Sequence, residues 1–137
     1  MDTRTNQTSS TRTILVVDNL DENRGILAGW LTREGYRVVE AAGGVEAVEE
    51  ARRVIPDLIL MDLKMPVLDG FGAAHSIHGD VALRRVPIVA VSADNTEFSK
   101  LKAKEAGFCD YLVKPVAAEE LRGMLLRLFQ HAGAAIN

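Results

Sequence analysis

Five short apolar runs recur along this chain: TILVV (13–17), RVVEAA (37–42), LILM (58–61), IVAV (88–91) and YLV (111–113). Most are β-branched or leucine-rich and too short for helices. They read as strands, and several lack the polar alternation of a sheet with one wet face, as expected of strands covered on both sides. Between them, apolar residues fall at helical spacing. Over 22–34, Ile26, Leu27, Trp30 and Leu31 share a face; over 44–55, Val45, Val48, Ala51 and Val54 or Ile55 do the same. A weaker helix is expected over 70–79. Another over 97–106 has Phe98 and Leu101 as its apolar side and Lys100, Lys102 and Lys104 outward, and the last, over 117–131, aligns Leu121, Leu125 and Leu128. Strand and helix alternating five times specify a parallel sheet with helices on both faces. Right-handed crossovers leave few ways to wind it.

Sheets of this class hold their ligands beyond the carboxyl ends of the strands. Asp18 and Asn19 stand there after the first run, Asp62 followed by LKMPVLDG after the third, Ser92, Ala93 and Asp94 after the fourth, and Lys114 and Pro115 after the fifth. The second run is the exception. Any single polar residue at a strand end has a plain explanation, because loops begin there. Two acids, a hydroxyl and a lysine delivered to one rim form a constellation with common chemistry. Carboxylates and an amide oxygen are hard donors suited to Mg²⁺, which keeps several waters and takes phosphate oxygen as a further ligand. A carboxylate can also attack phosphorus. Phosphoryl transfer asks a protein mainly for positioning and neutralised charge, and Lys114 supplies a second cation, Ser92 a hydroxyl donor. Asp62, at the middle of the sheet, is the nucleophile in this reading.

Length and charge narrow the alternatives. At 137 residues the chain is one domain, and its net charge of −3 argues against a nucleic-acid or membrane binder that relies on bulk electrostatics. The lone cysteine, Cys109, permits no internal disulfide and fits a reducing, cytoplasmic setting, with structural burial as its expected fate. No apolar run approaches the roughly 18 residues of a membrane span, and the polar N-terminus lacks the apolar core of a signal peptide. One folded unit is expected over 13–131, with a disordered lead-in over 1–12 and a tail over 132–137.

The motifs ILVVDN, PDLILMDLKMPVLDG, PIVAVSA and GFCDYLVKP, in this order and spacing, make residues 13–131 resemble the receiver domains of two-component response regulators. The resemblance implies a flavodoxin-like fold with strand order 2-1-3-4-5. It further implies that Asp62 accepts a phosphoryl group from the phosphohistidine of a sensor histidine kinase or phosphotransfer protein. Mg²⁺ would be held by Asp18, the residue after it, Asp62 and the backbone carbonyl of Lys64. Ser92 would bind the phosphoryl oxygen and Lys114 would pair with it, while Tyr111 would be the aromatic that swings inward as the hydroxyl moves. Lys114–Pro115 is commonly cis in such domains, and Gly70 would let the loop after Asp62 turn tightly.

One position departs from the family. Two consecutive acids normally follow the first strand, and here the second is Asn19. Moving Asp18 into the second slot would leave Val17 in the first and require an inserted residue before Asn23. From Asp18 to Gly35 and Tyr36 the spacing fits without a gap, so Asn19 reads as a replacement. Two unit charges 4 Å apart interact by about 4 kcal/mol at an effective dielectric of 20, before desolvation. An amide oxygen remains a ligand but brings no charge, so weaker Mg²⁺ binding is expected.

The remaining candidates have plain readings. His75 and His78 are expected at the surface, Asp69 in the turn with Gly70, and Trp30 in packing. Lys64 could lean over the site or stay in solvent. The expected function is a phosphorylation-dependent regulatory switch rather than an enzyme acting on external substrates. No output domain is visible, so the switch would act on a separate downstream protein, relay its phosphoryl group, or be a fragment of a longer chain. The alternative is a phosphate-independent pseudo-receiver that binds a partner through a weakened metal site.

Overall fold

A computed structural model describes residues 11–136, with the backbone alone for residues 131–136. The expected lead-in over 1–12 thus falls almost wholly outside the described residues. Five parallel strands, β1 (Thr13–Val17), β2 (Arg37–Ala41), β3 (Leu58–Asp62), β4 (Ile88–Ser92) and β5 (Asp110–Val113), pair in the order 2-1-3-4-5. Five α-helices connect or follow them: α1 (Asp21–Arg33), α2 (Gly44–Val54), α3 (Gly70–His78), α4 (Glu97–Glu105) and α5 (Ala118–Ile136). A 3-10 turn at Val81–Leu83 lies between α3 and β4. The final helix runs past the end expected near 131.

The period-two pleat divides the core. Leu15, Val17, Ile59, Met61, Ile88 and Ala90 face α2, α3 and α4. Their strand neighbours Ile14, Val16, Leu58, Leu60, Val89 and Val91 face α1 and α5. Strands β3 and β4 are buried at every position, which is why their sequences read as unbroken apolar runs, whereas the edge strand β2 is half-exposed and carries Arg37 and Glu40.

The helices bury less of their expected faces than spacing alone suggests. Leu27 and Leu31 of α1, Val48 and Ala51 of α2, and Leu121 and Leu125 of α5 are in the core, while Ile26 and Val45 stand exposed at the margins of their stripes. The correction at α4 is larger: Phe98 is 76% and Leu101 55% exposed, and Ala103 is the helix's buried residue. The lysines are not uniformly outward either, because Lys102 lies 4.8 Å over the ring of Phe71. Cys109 is exposed rather than buried, since β5 begins one residue later and the chain there is still on the surface.

Candidate functional site

Parallel strands in register deliver their carboxyl ends to one rim. Asp62 is the last residue of β3, and Asp18 extends the ladder beyond β1 through its amide bond to Ala41 O at 3.2 Å. Lys114 likewise follows β5, its amide donating to Ser92 O at 2.8 Å, and its peptide bond to Pro115 is cis. Asp18 and Asp62 are only 1% and 4% exposed. Buried carboxylates need partners, and the pattern here is symmetrical. Each has one oxygen on a backbone amide: Asp18 Oδ1 accepts from Leu20 N at 2.8 Å, and Asp62 Oδ1 from Lys64 N at 3.3 Å. The other oxygen of each meets the Lys114 ammonium, at 3.1 Å for Asp18 and 3.3 Å for Asp62.

Two negative charges thus share one positive charge in a largely desolvated pocket. Burial pushes the Asp62 carboxyl above its usual value; Lys114 opposes this, the charge of Asp18 adds to it, and the Lys64 amide lowers it slightly.

Ser92 ends β4 and is as buried as Asp62, but its hydroxyl accepts a 3.1 Å bond from the amide of Asp94. It lines a cleft of about 600 Å³ on the other side of the rim, shared with Lys64, Met65, Asp94, Phe98 and Lys102. The pleat explains the division: Asp62 falls in step with Leu58 and Leu60, whereas Ser92 falls in step with Ile88 and Ala90, the opposite face. Asn19 is exposed, as is the Lys64 side chain. Tyr111 is half-buried against the core, its hydroxyl donating to Asp94 O at 2.6 Å.

The loop after Asp62 turns for a different reason than expected. Gly70 is needed for close approach, because a Cβ there would collide with the carbonyl oxygen of Asp62. The left-handed position in that loop is Val67, with φ 72° and a side chain 99% exposed. Asp69 caps α3 by accepting from Gly72 N at 2.9 Å. His75 is exposed, and His78 is half-buried with Nε2 at 3.0 Å from Val86 O.

Two supporting residues escaped the sequence reading. Arg24 donates to Asp18 O at 2.8 Å and pairs with Asp21 at 2.7 Å and Glu40 at 3.1 Å, tying the turn that carries Asn19 to α1 and β2. Its spacing three residues after Asp21 was the available signal. Ser99, whose hydroxyl bonds the Asp94 carboxylate at 2.5 Å, had none.

Known proteins share this architecture and sequence. Residues 14–126 match the response regulator receiver domain family. The chain is 36% identical to PilH of Pseudomonas aeruginosa over 79% of its own length and 89% of PilH. It is 37% identical to the response regulator PleD of Caulobacter vibrioides over 75% of its length, but spans only 23% of PleD. The receiver domain of a sensor histidine kinase from Pseudomonas aeruginosa PAO1, solved with a magnesium ion coordinated in its active-site cleft, superposes with a TM-score of 0.79. That likeness is at 38% identity and covers 86% of this chain and 97% of the other. Because the family match runs from the first strand into the last helix and reaches every element between them, the chain belongs to the receiver domains of two-component response regulators.

Proposed function

We propose that this receiver domain is a phosphoacceptor switch in which Asp62 takes a phosphoryl group from the phosphohistidine of a sensor kinase or phosphotransfer protein. A carboxylate oxygen of Asp62 attacks phosphorus. The new P–O bond forms as the P–N bond breaks, the electron pair leaves with the donor imidazole, which takes up a proton, and Asp62 becomes an acyl phosphate. Lys114 lies within reach of charge gathering on the phosphoryl oxygens, and the Ser92 hydroxyl, which accepts from Asp94 N, donates no hydrogen bond among the described residues and so can offer one to a phosphoryl oxygen. The observation that carries this reading is the pair of buried carboxylates bridged by one ammonium at a strand-end rim.

The donor set fits Mg²⁺. Asp18 and Asp62 offer carboxylate oxygens, Asn19 an amide oxygen and Lys64 a backbone carbonyl, all hard ligands. When bound, the ion would supply charge neutralisation for the phosphoryl oxygens. The shared ammonium is itself a sign that this acid pair requires a cation. A sensor kinase or phosphotransfer protein would be the donor and a separate protein the reader of the switch, in the cytoplasm, with no direct nucleic-acid contact. Among the described residues no helix is long and apolar enough to cross a membrane.

The decisive experiment is incubation with acetyl phosphate and Mg²⁺, followed by intact-protein mass measurement on the native chain and on Asp62→Ala. A phosphoryl adduct on the native chain alone supports the reading. A second reading, a phosphate-independent pseudo-receiver, draws on Asn19: among the described residues no group of three or more acidic, histidine or cysteine side chains is placed to hold a metal. Absence of any adduct at abundant Mg²⁺ would favour it.

A further inference from the structure

Every polar atom of Asp18 has a partner. Its amide donates to Ala41 O at 3.2 Å, Oδ1 accepts from Leu20 N at 2.8 Å, and Oδ2 meets the Lys114 ammonium at 3.1 Å. The last partner comes from outside the pocket: Asp18 O accepts from Arg24 Nη1 at 2.8 Å. The other guanidinium nitrogens are also engaged, Nε donating to Glu40 of β2 at 3.1 Å and Nη2 to Asp21 at 2.7 Å. The Arg24 side chain is only 16% exposed, whereas those of Asp21 and Glu40 are open to solvent. The guanidinium is therefore packed against the turn, and its fork joins α1, β2 and the end of β1 at one carbonyl.

That carbonyl belongs to the peptide plane between Asp18 and Asn19. We propose that Arg24 is a positioning residue for the cation site, fixing this plane, and with it the direction of the Asp18 carboxylate, before a divalent cation arrives. Two adjacent acids could gather such an ion by charge even from a loose turn. Here the second position is the neutral Asn19, so binding rests more heavily on donors already held in place. The use for Mg²⁺ depends on the metal site proposed above; the hold on Asp18 does not.

Placement and charge make opposite predictions. Taken as a charge, a guanidinium beside the site repels the cation, and removing it strengthens binding. Taken as a support, removing it weakens binding. Lysine keeps the charge, but a single ammonium cannot reproduce a planar fork on Asp18 O, Asp21 and Glu40.

Mg²⁺ is titrated calorimetrically into the native chain, Arg24→Lys and Arg24→Gln. In the same proteins without metal, NMR follows hydrogen exchange of the Leu20 amide, which donates to Asp18 Oδ1. Both variants are expected to bind Mg²⁺ about tenfold more weakly and to exchange Leu20 about tenfold faster, the effect of one lost charge-assisted hydrogen bond, while β3 amides stay protected. Glu40→Gln, which leaves Nη1 on Asp18 O, should shift both readings in the same direction by less. Should Arg24→Gln fail to fold, Arg24→Lys and Glu40→Gln carry the test. Unchanged Leu20 exchange in Arg24→Lys would overturn the proposal whatever the titration shows. So would native affinity in Arg24→Lys or raised affinity in Arg24→Gln, the signs of a charge acting without placement. A native chain that takes up no Mg²⁺ would overturn the metal site and with it the cation role of Arg24, while the exchange data still decide whether Arg24 holds Asp18.

Discussion

Helices α1 and α4 follow the strands that carry Asp18 and Ser92, and different forces hold them. Helix α1 buries Leu27, Ala28 and Leu31, and Arg24 anchors its first turn to Asp18 O, Asp21 and Glu40. Helix α4 buries Ala103, leaves Phe98 and Leu101 in solvent, and starts from a Thr96 cap braced by Asp94 and Ser99. Each buried leucine contributes roughly 1.5–3 kcal/mol, whereas each hydrogen bond of the α4 network contributes about 1 kcal/mol net. One wall of the pocket is therefore part of the core, and the other is attached to it by a few polar contacts. Motion coupled to the site belongs on the weaker wall, the one that Ser92 and Tyr111 share.

The largest expected effect tests the strong wall. Leu31→Ala should cost about 2–5 kcal/mol in urea unfolding, as large-to-small changes in cores do. On the same wall, Asn19→Asp should raise Mg²⁺ affinity ten- to hundredfold, about 1.4–2.8 kcal/mol by calorimetric titration, because it restores the missing carboxylate. Equal affinities in the two proteins would show that the amide oxygen serves as well as a charge. On the weak wall, Thr96→Ala removes the α4 cap and should cost about 1 kcal/mol. Its signature is loss of hydrogen-exchange protection confined to α4; a global loss would mean that this helix is tied into the core after all.

A pH dependence separates the pocket's charge from its packing. The Asp62 carboxyl is raised in the folded protein, first by burial, so the folded state holds its proton more tightly than the unfolded chain. That contribution to stability is present below the unfolded carboxyl value of about 3.9 and is lost as pH rises through the raised value. In metal-free buffer Asp62→Asn should therefore melt higher than the native chain at pH 7, with the gain disappearing as pH falls toward that unfolded value. A gain independent of pH would point to packing. The smallest effect is expected at Leu101→Ala, within about 0.5 kcal/mol; a loss comparable to that of Leu31→Ala would erase the contrast between the two walls.

Much of this was legible because a buried parallel strand leaves a strong trace: a short apolar run that stops where the chain reaches the rim. The strand-end placement of Asp18, Asp62, Ser92 and Lys114 was read that way. Phe98 and Leu101 were misread because helical spacing identifies an apolar stripe without saying whether a neighbour covers it. Cys109 was misread for the same reason, as an apolar residue type one step from a strand whose flank proved open. Arg24 and Ser99 act through contacts to Asp18 O and the Asp94 carboxylate, and a sequence shows neither a carbonyl's direction nor a carboxylate's reach.

By itself the sequence determined the alternation of strands and helices, and with it the rim at which polar groups collect, because hydrophobic period and run length are local properties of the chain. Only the tertiary structure decided that one ammonium serves both acids, that Ser92 turns toward Asp94, and that α4 is held by its cap rather than by the core. Those outcomes depend on which surfaces and side chains meet across the fold, distances that no run of residues encodes on its own.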